Sequence, residues 1–290
     1  MNLTSPSQVK AWCIENGFHP NKVLGQNFLI DRNALEAIVD AGFEGVEPAV
    51  AHAPLRVLEI GPGLGVLTEE MLRRGATVTA VEKDPVLAAR LGESLGNPAA
   101  LTVVAADALA WLDGAGDFDC MVSNLPYQAG TRILLELVQA RRLKSMTVLV
   151  QTEVAERLAA REGSKTRGLA GVWAQLDYDV KIVRKVAASC FWPRPEIGSS
   201  VVKLVRHDRN VLFSSKERKI FADLTKKAFE HRRKQLGSIF KDMIQSTARA
   251  EELSNADWIS LVRDLAAAAT ENQTENQKLV ERTQEGNENS

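Results

Sequence analysis

Short apolar runs alternate with segments of helical periodicity through the middle of the chain. The runs are RVLEI (56–60), TVTAVE (77–82), LTVVAAD (101–107), DCMVSN (119–124) and MTVLVQ (146–151). Short apolar runs that alternate with helical segments are typical of parallel strands joined by crossover helices. The pattern therefore predicts an α/β fold built on a doubly wound, mainly parallel sheet.

Two later strand-like stretches differ from the others because they lie close together in sequence. They are DVKIVRKV (179–186) and SVVKLV (200–205). We expect them to pair as an antiparallel edge, which mainly parallel sheets often carry. The sheet then ends near residue 206, and a first domain is predicted over residues 1–206.

Helical signals precede the sheet. Ser5 and Pro6 can begin a helix that ends at Gly17, because Pro is favoured in the first helical turn. Asp31 can cap a second helix that runs through Val39. We interpret these helices as an N-terminal extension of the first domain.

Helical signals also follow the sheet. Ser214 and Glu217 have the spacing of a capping box. The apolar residues behind them recur at helical spacing: Ile220, Phe221, Leu224, Ala228 and Phe229. A small helical domain is predicted over residues 207–270. The polar, glutamate-rich tail 271–290 has little apolar surface to bury, and we expect it to be disordered.

Charge is distributed unevenly, although the formal net charge is only −1. Residues 181–241 contain 16 Lys and Arg against 5 Asp and Glu. Such a run is either a solvated face or a surface for a polyanion. Phe191, Trp192 and Phe229 lie within it, and aromatic rings stack on unpaired bases, which favours RNA or another single-stranded nucleic acid.

Other classes of protein are disfavoured by what the sequence lacks. The first residues show no basic head before an apolar run, and no stretch approaches the roughly 18 apolar residues of a membrane span. We expect a cytoplasmic protein without a membrane partner. The three cysteines and four histidines are scattered, which favours buried thiols and a mechanism without metal.

A glycine turn follows the first predicted strand. Gly61, Gly63 and Gly65 stand where a strand gives way to a helix, and glycines there let a ligand approach the backbone and the helix start. The dinucleotide fingerprint requires a further glycine at position 66, which is Val66. NAD is therefore disfavoured, and the turn alone leaves the ligand open.

Polar residues end the next three strands of the predicted sheet. Glu82 ends the second strand, 21 residues after Gly61, where a carboxylate can accept both hydroxyls of a ribose. Asp107 ends the third strand and Asn124 ends the fourth. Each could simply cap a helix. Together at the carboxyl edge of one sheet, they predict a site for an adenosyl ligand.

Asn124 begins the stretch NLPY (124–127), which is either a tight turn or a shaped polar pocket. With it, the chain carries a series of motifs that resembles the ribosomal small-subunit RNA adenine dimethyltransferases, the KsgA family. The motifs are GQNFL (25–29), LEIGPGLG (58–65), VEKD (81–84), AADA (105–108), SNLPY (123–127), FWPRPEIGSSVV (191–202) and FEHRRKQL (229–236). The resemblance covers roughly residues 20–240.

The resemblance implies a Rossmann-like class I methyltransferase fold and S-adenosylmethionine as cofactor. Gly61 and Gly63 would pass under its methionine part, Glu82 would hold the ribose and Asp107 would accept from the adenine amine. Gln26, Asn27 and Leu29 of GQNFL would close the cofactor site. Gln26 and Asn27 can also be interpreted as an ordinary turn.

The resemblance further implies N6,N6-dimethylation of two adjacent adenosines in a hairpin near the 3′ end of small-subunit (16S) ribosomal RNA, on the assembling pre-30S particle and by a monomer. The Asn124 side-chain oxygen and the Leu125 carbonyl would accept from the target amine, while Pro126 stiffens the turn. Tyr127 would stack on the base, with Phe191 on its other face unless Phe191 belongs to the core.

RNA contacts are expected from the basic run Arg232, Arg233 and Lys234. The chain departs from the family pattern at Gly237 and Ser238 and at Gln128 and Ala129. Two alternatives remain: an Erm-type enzyme that methylates large-subunit RNA, and an RNA-binding assembly factor without catalytic activity.

Overall fold

The computed structural model describes residues 1–21, 24–207 and 214–270. It divides into two compact units, and each unit is made of two separate stretches of the chain. The first unit comprises Met1–Ala159 and Trp173–Asp208, and the second comprises Ala160–Val172 and Arg209–Ser290. The sequence-based boundary at 206 is close to the third and last crossing between the units, but the sequence did not indicate that 160–172 joins the helical unit. The tail predicted to be disordered, 271–290, lies outside the described residues.

A seven-stranded sheet forms the centre of the first unit, as the alternating pattern predicted. In the described residues the strands are β1 (Phe28–Leu29), β2 (Arg56–Ile60), β3 (Thr77–Glu82), β4 (Leu101–Ala105), β5 (Cys120–Asn124), β6 (Ser145–Gln151), β7 (Tyr178–Val186), β8 (Phe191–Trp192) and β9 (Ser199–Arg206). The sheet order is β4-β3-β2-β5-β6-β9-β7. The pairs from β4 to β6 are parallel, whereas β9 is antiparallel to both of its neighbours.

The described residues of both units also form helices. Their bounds are α1 (Pro6–Glu15), α2 (Arg32–Phe43), α3 (Val66–Arg73), α4 (Pro85–Ser94), α5 (Ala108–Trp111), α6 (Gly130–Ala140), α7 (Thr152–Ala159), α8 (Leu169–Asp177), α9 (Ser215–Glu230), α10 (Leu236–Phe240) and α11 (255–270). Both predicted N-terminal helices are present. The Asp31 side chain caps α2 by accepting from Ala34 N at 2.7 Å, whereas Ser5 makes no side-chain cap to α1.

The predicted antiparallel pair is confirmed, with a difference in position. β7 and β9 pair along their length, but only β7 is at the edge, because β9 also pairs with β6 from Ser145 to Gln151. A second, two-stranded sheet joins β1 to β8, with Leu29 opposite Phe191. This pairing was not predicted, because two-residue strands have no measurable periodicity and these two lie more than 160 residues apart.

Buried apolar residues of the sheet and of the surrounding helices form the core of the first unit. The strands β2 and β5 contribute Val57, Cys120 and Val122, and the interior face of α2 contributes Ile38 and Val39. Cys13 and Cys120 are buried free thiols, and Cys190 is half-buried, in line with the buried thiols expected from the sequence. Among the described residues, no helix combines the length and the apolar character that crossing a membrane requires.

The second unit is held together by polar contacts as well as by its apolar residues. Ser214 and Glu217 form the predicted capping box at the start of α9. Arg167, which is 1% exposed, donates to Ala160 O at 3.2 Å and to Asn255 Oδ1 at 2.7 Å. The buried Trp258 ring packs near Phe229, with ring centroids 6.5 Å apart. These contacts tie the segment 160–172 to the start of α11.

Candidate functional site

The carboxyl edge of the parallel strands carries a cleft of about 390 Å³. β3 lies on one side of β2 and β5 lies on the other, so the strand order reverses at β2. Open α/β sheets bind ligands at the carboxyl ends of the strands where the order reverses. The predicted glycine turn, Glu82, Asp107 and Asn124 all line this cleft. Tertiary structure therefore brings together residues that the sequence spreads over more than 60 positions.

The glycine turn between β2 and α3 packs closely against the N-terminal motif. Gly61 and Gly63 both line the cleft, and Gly63 has a φ of +60°. A Cβ atom at Gly63 would lie 3.1 Å from the Phe28 ring, so a larger residue would be strained and crowded there. The turn is anchored to β5 because the Ser123 hydroxyl accepts from Ile60 N at 2.9 Å.

Glu82 is buried at the end of β3, and backbone donors fix its carboxylate. It accepts from Gly63 N at 3.1 Å through Oε2 and from Asp84 N at 2.8 Å through Oε1. Burial raises the pKa of Glu82, although these backbone hydrogen bonds oppose the rise. The carboxylate is therefore oriented before any ligand binds, and its oxygens retain lone pairs for further donors.

A second carboxyl group, Glu59, lies beside this site and was not predicted to belong to it. Glu59 is 1% exposed, lines the cleft and accepts from the Thr68 hydroxyl at 2.6 Å. Burial raises its pKa to about 8, with a smaller contribution from the nearby Glu82 charge. The sequence signal was weak, because one acidic residue inside an apolar strand does not reveal its depth.

Asp107 lines the cleft but already has partners. It caps α5 by accepting from Leu109 N at 3.0 Å, and its other oxygen lies 2.8 Å from Lys83 Nζ. The Lys83 hydrogen bond lowers the pKa of Asp107. The capping role considered from sequence is therefore real, and it leaves Asp107 at the cleft wall as an ionised acceptor.

Asn124, at the end of β5, is held in one orientation by the N-terminal motif. Its Nδ2 donates to Asn27 O at 3.1 Å. Its Oδ1 is buried and has no hydrogen-bond partner among the described residues. A buried amide oxygen without a partner is costly unless something else donates to it. Asn124 lines the cleft, and the capacity of its Oδ1 to accept a hydrogen bond is unused among the described residues.

The GQNFL segment is more than an ordinary turn, because its side chains reach distant parts of the site. Gln26 donates to Asp84 Oδ2 at 2.8 Å, and Asn27 donates to Gly25 O at 3.1 Å while its carbonyl receives Asn124. Gly25, which the sequence reasoning did not single out, has a φ of +67°, and a Cβ there would lie 3.0 Å from Tyr127 N. Leu29 is buried and also lines the cleft.

The rest of the NLPY turn is fixed by packing and by one hydroxyl contact. Leu125 is buried and Pro126 lines the cleft. The Tyr127 hydroxyl and the Ser199 hydroxyl are 2.6 Å apart, and burial raises the pKa of Tyr127. Ser199 begins β9, so this contact joins the turn to the antiparallel part of the sheet. Ser199 was not predicted as a site residue, although it belongs to the FWPRPEIGSSVV motif.

The structure corrects the position expected for Phe191. Its side chain is 2% exposed and belongs to the hydrophobic core, paired through β8 with Leu29. It is not part of the lining of the cleft. Burial of an aromatic ring in a core is the ordinary outcome for Phe, and no base can stack on the ring in this position.

The basic run lies in the second unit and is not uniform. Arg233 and Lys234 are exposed. Arg232 instead donates to Lys165 O, and its Nε lies 3.6 Å from Glu251 Oε2. Arg232 therefore has a structural role inside the second unit, whereas its two neighbours face solvent.

The departures from the family pattern have local explanations in part. Gln128 and Ala129 line the cleft just after Tyr127. At Gly237, a Cβ would lie 2.9 Å from Ser246 O, and Gly237 N donates to that same oxygen at 2.9 Å. Any side chain at 237 would therefore displace the local backbone pairing. Nothing in the structure explains Ser238.

Comparisons with known proteins agree with the resemblance. A family model described as ribosomal RNA adenine dimethylase matches residues 17–274. A Deinococcus radiodurans protein named ribosomal RNA small subunit methyltransferase A is 44% identical over 210 residues, which cover 70% of this chain and 67% of that protein. A protein of the same name from Arthrobacter sp. (strain FB24) is 38% identical over 256 residues, covering 86% and 84%.

Solved structures agree in fold. A dimethyladenosine transferase from Plasmodium falciparum superposes with a TM-score of 0.70 at 22% identity, covering 82% of this chain and 97% of that one. The 23S rRNA methyltransferase ErmE has a TM-score of 0.62 at 24% identity, covering 82% and 98%. The predicted Rossmann-like methyltransferase fold is thereby confirmed. The chain belongs to the ribosomal RNA adenine dimethylase family, and it is a methyltransferase that uses S-adenosylmethionine.

Proposed function

We propose that this protein dimethylates N6 of two adjacent adenosines in a hairpin near the 3′ end of small-subunit ribosomal RNA. Four methyl groups are transferred in all. The description of the family model supports adenine dimethylation of ribosomal RNA, and the names of the curated relatives support the small subunit as the source of the substrate. Similarity of fold does not identify the subunit, because a 23S rRNA methyltransferase, ErmE, also superposes on this chain.

The chemistry of the cleft fits the cofactor. S-adenosylmethionine, when bound, supplies a methyl group attached to a positively charged sulfur. The glycine turn at Gly61 and Gly63 lets its methionine part pass close to the backbone, and the oriented Glu82 carboxylate accepts from the ribose hydroxyls. Asp107, ionised at the cleft wall, accepts from the adenine amine. Gln26, Asn27 and Leu29 close this end of the cleft.

Asn124 carries the proposal for catalysis. The exocyclic amine of adenine is a poor nucleophile because its lone pair is delocalised into the ring. An acceptor that takes an N–H hydrogen bond helps to hold the amine pyramidal and directed at the methyl group. The Asn124 Oδ1 atom is buried without a partner among the described residues, while Nδ2 is held by Asn27. That unsatisfied oxygen is the observation on which the proposed activity chiefly rests.

The rest of the turn completes the acceptor. The Leu125 carbonyl takes the second N–H of the amine, and Pro126 stiffens the turn without adding a competing donor. The main contribution of these residues is positioning, which can supply roughly 7 to 11 kcal/mol of a barrier. No residue is needed as a general base, because methyl transfer converts the amine to an alkylated ammonium cation, which is acidic enough to lose its proton to water.

The target adenosine must leave its stack to reach this turn. Tyr127 is half-buried and lies between Pro126 and Gln128 of the cleft lining, and it supplies the ring on which the base stacks. Its hydroxyl contact with Ser199 restrains that side chain. We do not assign Phe191 to the opposite face, because its side chain is part of the core. The Tyr127 face alone is therefore the proposed stacking surface.

We assign cofactor binding and catalysis to the first unit and RNA binding to the second. Arg233 and Lys234, which are exposed, contact RNA phosphates, and Arg232 supports the segment that carries them. The protein acts as a monomer on the assembling pre-30S particle in the cytoplasm. These assignments follow from the family resemblance and from the location of the exposed charges.

A transfer experiment tests the proposal. Purified protein and radiolabelled S-adenosylmethionine are incubated separately with small-subunit particles and with large-subunit RNA, both from a strain that lacks the modification. We expect label in small-subunit RNA only, as N6,N6-dimethyladenosine identified by mass spectrometry, at two adjacent positions.

The two alternatives give different results in that experiment. Label in large-subunit RNA would identify an Erm-type enzyme and overturn the proposed substrate. Binding to small-subunit particles with no transfer of label would identify an assembly factor without catalytic activity. An RNA-binding protein without catalytic activity does not require the oriented acceptor at Asn124, and so we expect methyl transfer.

A further inference from the structure

The basic segment 181–241 is divided between the two units, and only part of it belongs to the proposed RNA-binding unit. Its first part forms β7, the edge strand of the large sheet. Lys181, Arg184 and Lys185 are all exposed on this strand, and we call these three residues the basic edge. The basic edge is in the catalytic unit and has no part in the cleft described above.

The strand that carries the basic edge ends on the side of the sheet that carries the cleft. β7 is antiparallel to β9, which is antiparallel to β6, so β7 runs in the same direction as the parallel strands. Its last residue, Val186, lies opposite Ser199, whose hydroxyl contacts Tyr127. Lys185 precedes Val186, and Lys181 lies about 13 Å further back at the usual rise per residue.

A β-bulge places the positive charges on both faces of the edge strand. The register changes between Ile182 and Arg184, so that Val183 is the extra residue. Lys181 therefore pairs with Lys203 and Arg184 with Val201, which share one face, whereas Lys185 pairs with Ser200 on the other face. Without the bulge, Lys181 and Lys185 would share a face.

The charges of the basic edge are only partly neutralised. Lys181 has no ion-pair partner among the described residues. Lys185 Nζ lies 3.6 Å from Glu156 Oε1 of α7, and the two side chains are 72% and 48% exposed, so solvent screens this pair. Arg184 donates to Asn33 O at 3.3 Å. This hydrogen bond to a neutral carbonyl positions the Arg184 side chain but does not neutralise its positive charge. Asp179 is the acidic residue on the same strand. Glu44, which follows the last residue of α2, forms an ion pair with Lys203, with Oε2 and Nζ 3.1 Å apart.

We propose that the basic edge binds the phosphate backbone of the ribosomal RNA on the catalytic unit, separately from Arg233 and Lys234. This inference rests on the proposed function. Cations spaced along an open strand that ends beside the Tyr127–Ser199 contact complement a polyanion whose target base must enter the cleft. The basic edge thereby orients the RNA strand that flanks the target adenosines. Exposed lysines on an edge strand can also prevent edge-to-edge aggregation, and the test separates the two roles.

The test compares substitutions at the basic edge with one elsewhere on the same sheet. Lys181→Gln, Lys185→Gln and their combination are compared with Lys144→Gln. Lys144 is exposed and lies just before β6, at the amino ends of the parallel strands and away from the carboxyl edge that carries the cleft. Binding of small-subunit ribosomal RNA transcribed in vitro is measured at several salt concentrations. For the double variant we expect a slope of log affinity against log salt that is smaller by roughly 1.4 to 1.8. The KM for RNA should rise, while kcat and cofactor affinity are unchanged.

The outcomes distinguish this inference from the proposed function. Equal salt slopes for the wild type and the double variant would overturn the inference, as would an equal reduction in Lys144→Gln. A double variant that aggregates but keeps the wild-type slope would show that the lysines only protect the edge, which also overturns the inference. Failure of the proposed function would appear separately, as a wild-type protein that transfers no methyl to small-subunit RNA.

Discussion

The NLPY turn at 124–127 and the basic run at 232–234 are both short polar stretches, but their side chains are held very differently. In the turn, Asn124 is fixed by Asn27 and Tyr127 is fixed by Ser199. In the run, only Arg232 has described partners, whereas Arg233 and Lys234 extend into solvent. Chemistry requires atoms that are positioned in advance, while binding of a long polyanion requires charge that can adapt to it.

Asn124→Ala should have the largest effect, because it removes the positioned acceptor. We expect the rate of methyl transfer to fall by about 10²-fold, the usual magnitude when one preorganised hydrogen-bonding group is lost. Affinity for cofactor and RNA should remain close to wild type, because the interaction strengthens as the transition state forms. Single-turnover transfer of labelled methyl to small-subunit particles measures the rate.

Asn124→Asp provides a companion to that experiment. Asp keeps an acceptor but cannot donate to Asn27 O, so it separates acceptance by Asn124 from its orientation. More activity in Asp than in Ala would show that acceptance matters most. A wild-type rate in Asn124→Ala would break the comparison, because the turn would then be no more specialised than the basic run.

Glu82→Ala should weaken cofactor binding. The carboxylate is held by Gly63 N and Asp84 N, and loss of charge-assisted hydrogen bonds costs about 1.5 to 3 kcal/mol, or roughly ten- to hundredfold in affinity. Calorimetric titration with S-adenosylmethionine measures the change. Glu69→Ala, on the exposed side of α3, is the matched control and should bind normally. Unchanged affinity in a folded Glu82→Ala protein would remove Glu82 from the site.

Glu59→Gln should change how stability depends on pH. In the folded protein burial raises the pKa of Glu59 to about 8, whereas in the unfolded chain it is near 4.5. Between these values the unfolded chain loses the proton while the folded protein keeps it, so stability falls as pH rises from about 4.5 to about 8. Gln does not titrate, and the variant should lose less stability over that interval, by roughly 3 to 4 kcal/mol.

Urea unfolding at pH 5 and pH 8 measures this difference. Glu82, whose pKa is also raised, is present in both proteins, so the comparison isolates Glu59. Parallel stability profiles for the two proteins would mean that the buried carboxyl does not titrate as described. The same change in an exposed acid such as Glu69 should leave the profile unaltered.

The smallest effects are expected within the basic run, where one residue should behave unlike its neighbours. Arg233→Ala with Lys234→Ala should reduce the salt slope of RNA binding by roughly 1.4 to 1.8 and leave stability unchanged. Arg232→Ala should instead lower the free energy of unfolding by about 0.5 to 1.5 kcal/mol, because it removes the contacts with Lys165 and Glu251. If all three residues affect RNA binding alike, the distinction between Arg232 and its neighbours is wrong.

Most of the large sheet could be predicted because its signals are local. RVLEI and TVTAVE match β2 and β3 residue for residue, and Ser214 with Glu217 predicted the start of α9. Polar residues at successive strand ends also identified the cleft, because parallel strands end at the same edge. Each of these inferences depends on a pattern that spans a few neighbouring residues.

Other features could not be predicted because their partners are distant in sequence. β1 and β8 pair across more than 160 residues, and this pairing places Phe191 in the core. The segment 160–172 belongs to the second unit because it contacts residues beyond 250, such as Asn255. Arg232 and Arg233 are adjacent and chemically identical, but only Arg232 meets Glu251.

The sequence by itself determined the fold class, the position of the cleft and the family. Periodicity, turn residues and the order of motifs are properties of the linear sequence and require no knowledge of distances in space. Only the tertiary structure decided which polar atoms are satisfied. In the tertiary structure Asp107 forms an ion pair with Lys83, and Asn124 Nδ2 donates to the Asn27 carbonyl. Asn124 Oδ1 has no partner among the described residues. The physical reason is that a hydrogen bond depends on the distance between atoms in space, which separation along the chain does not fix.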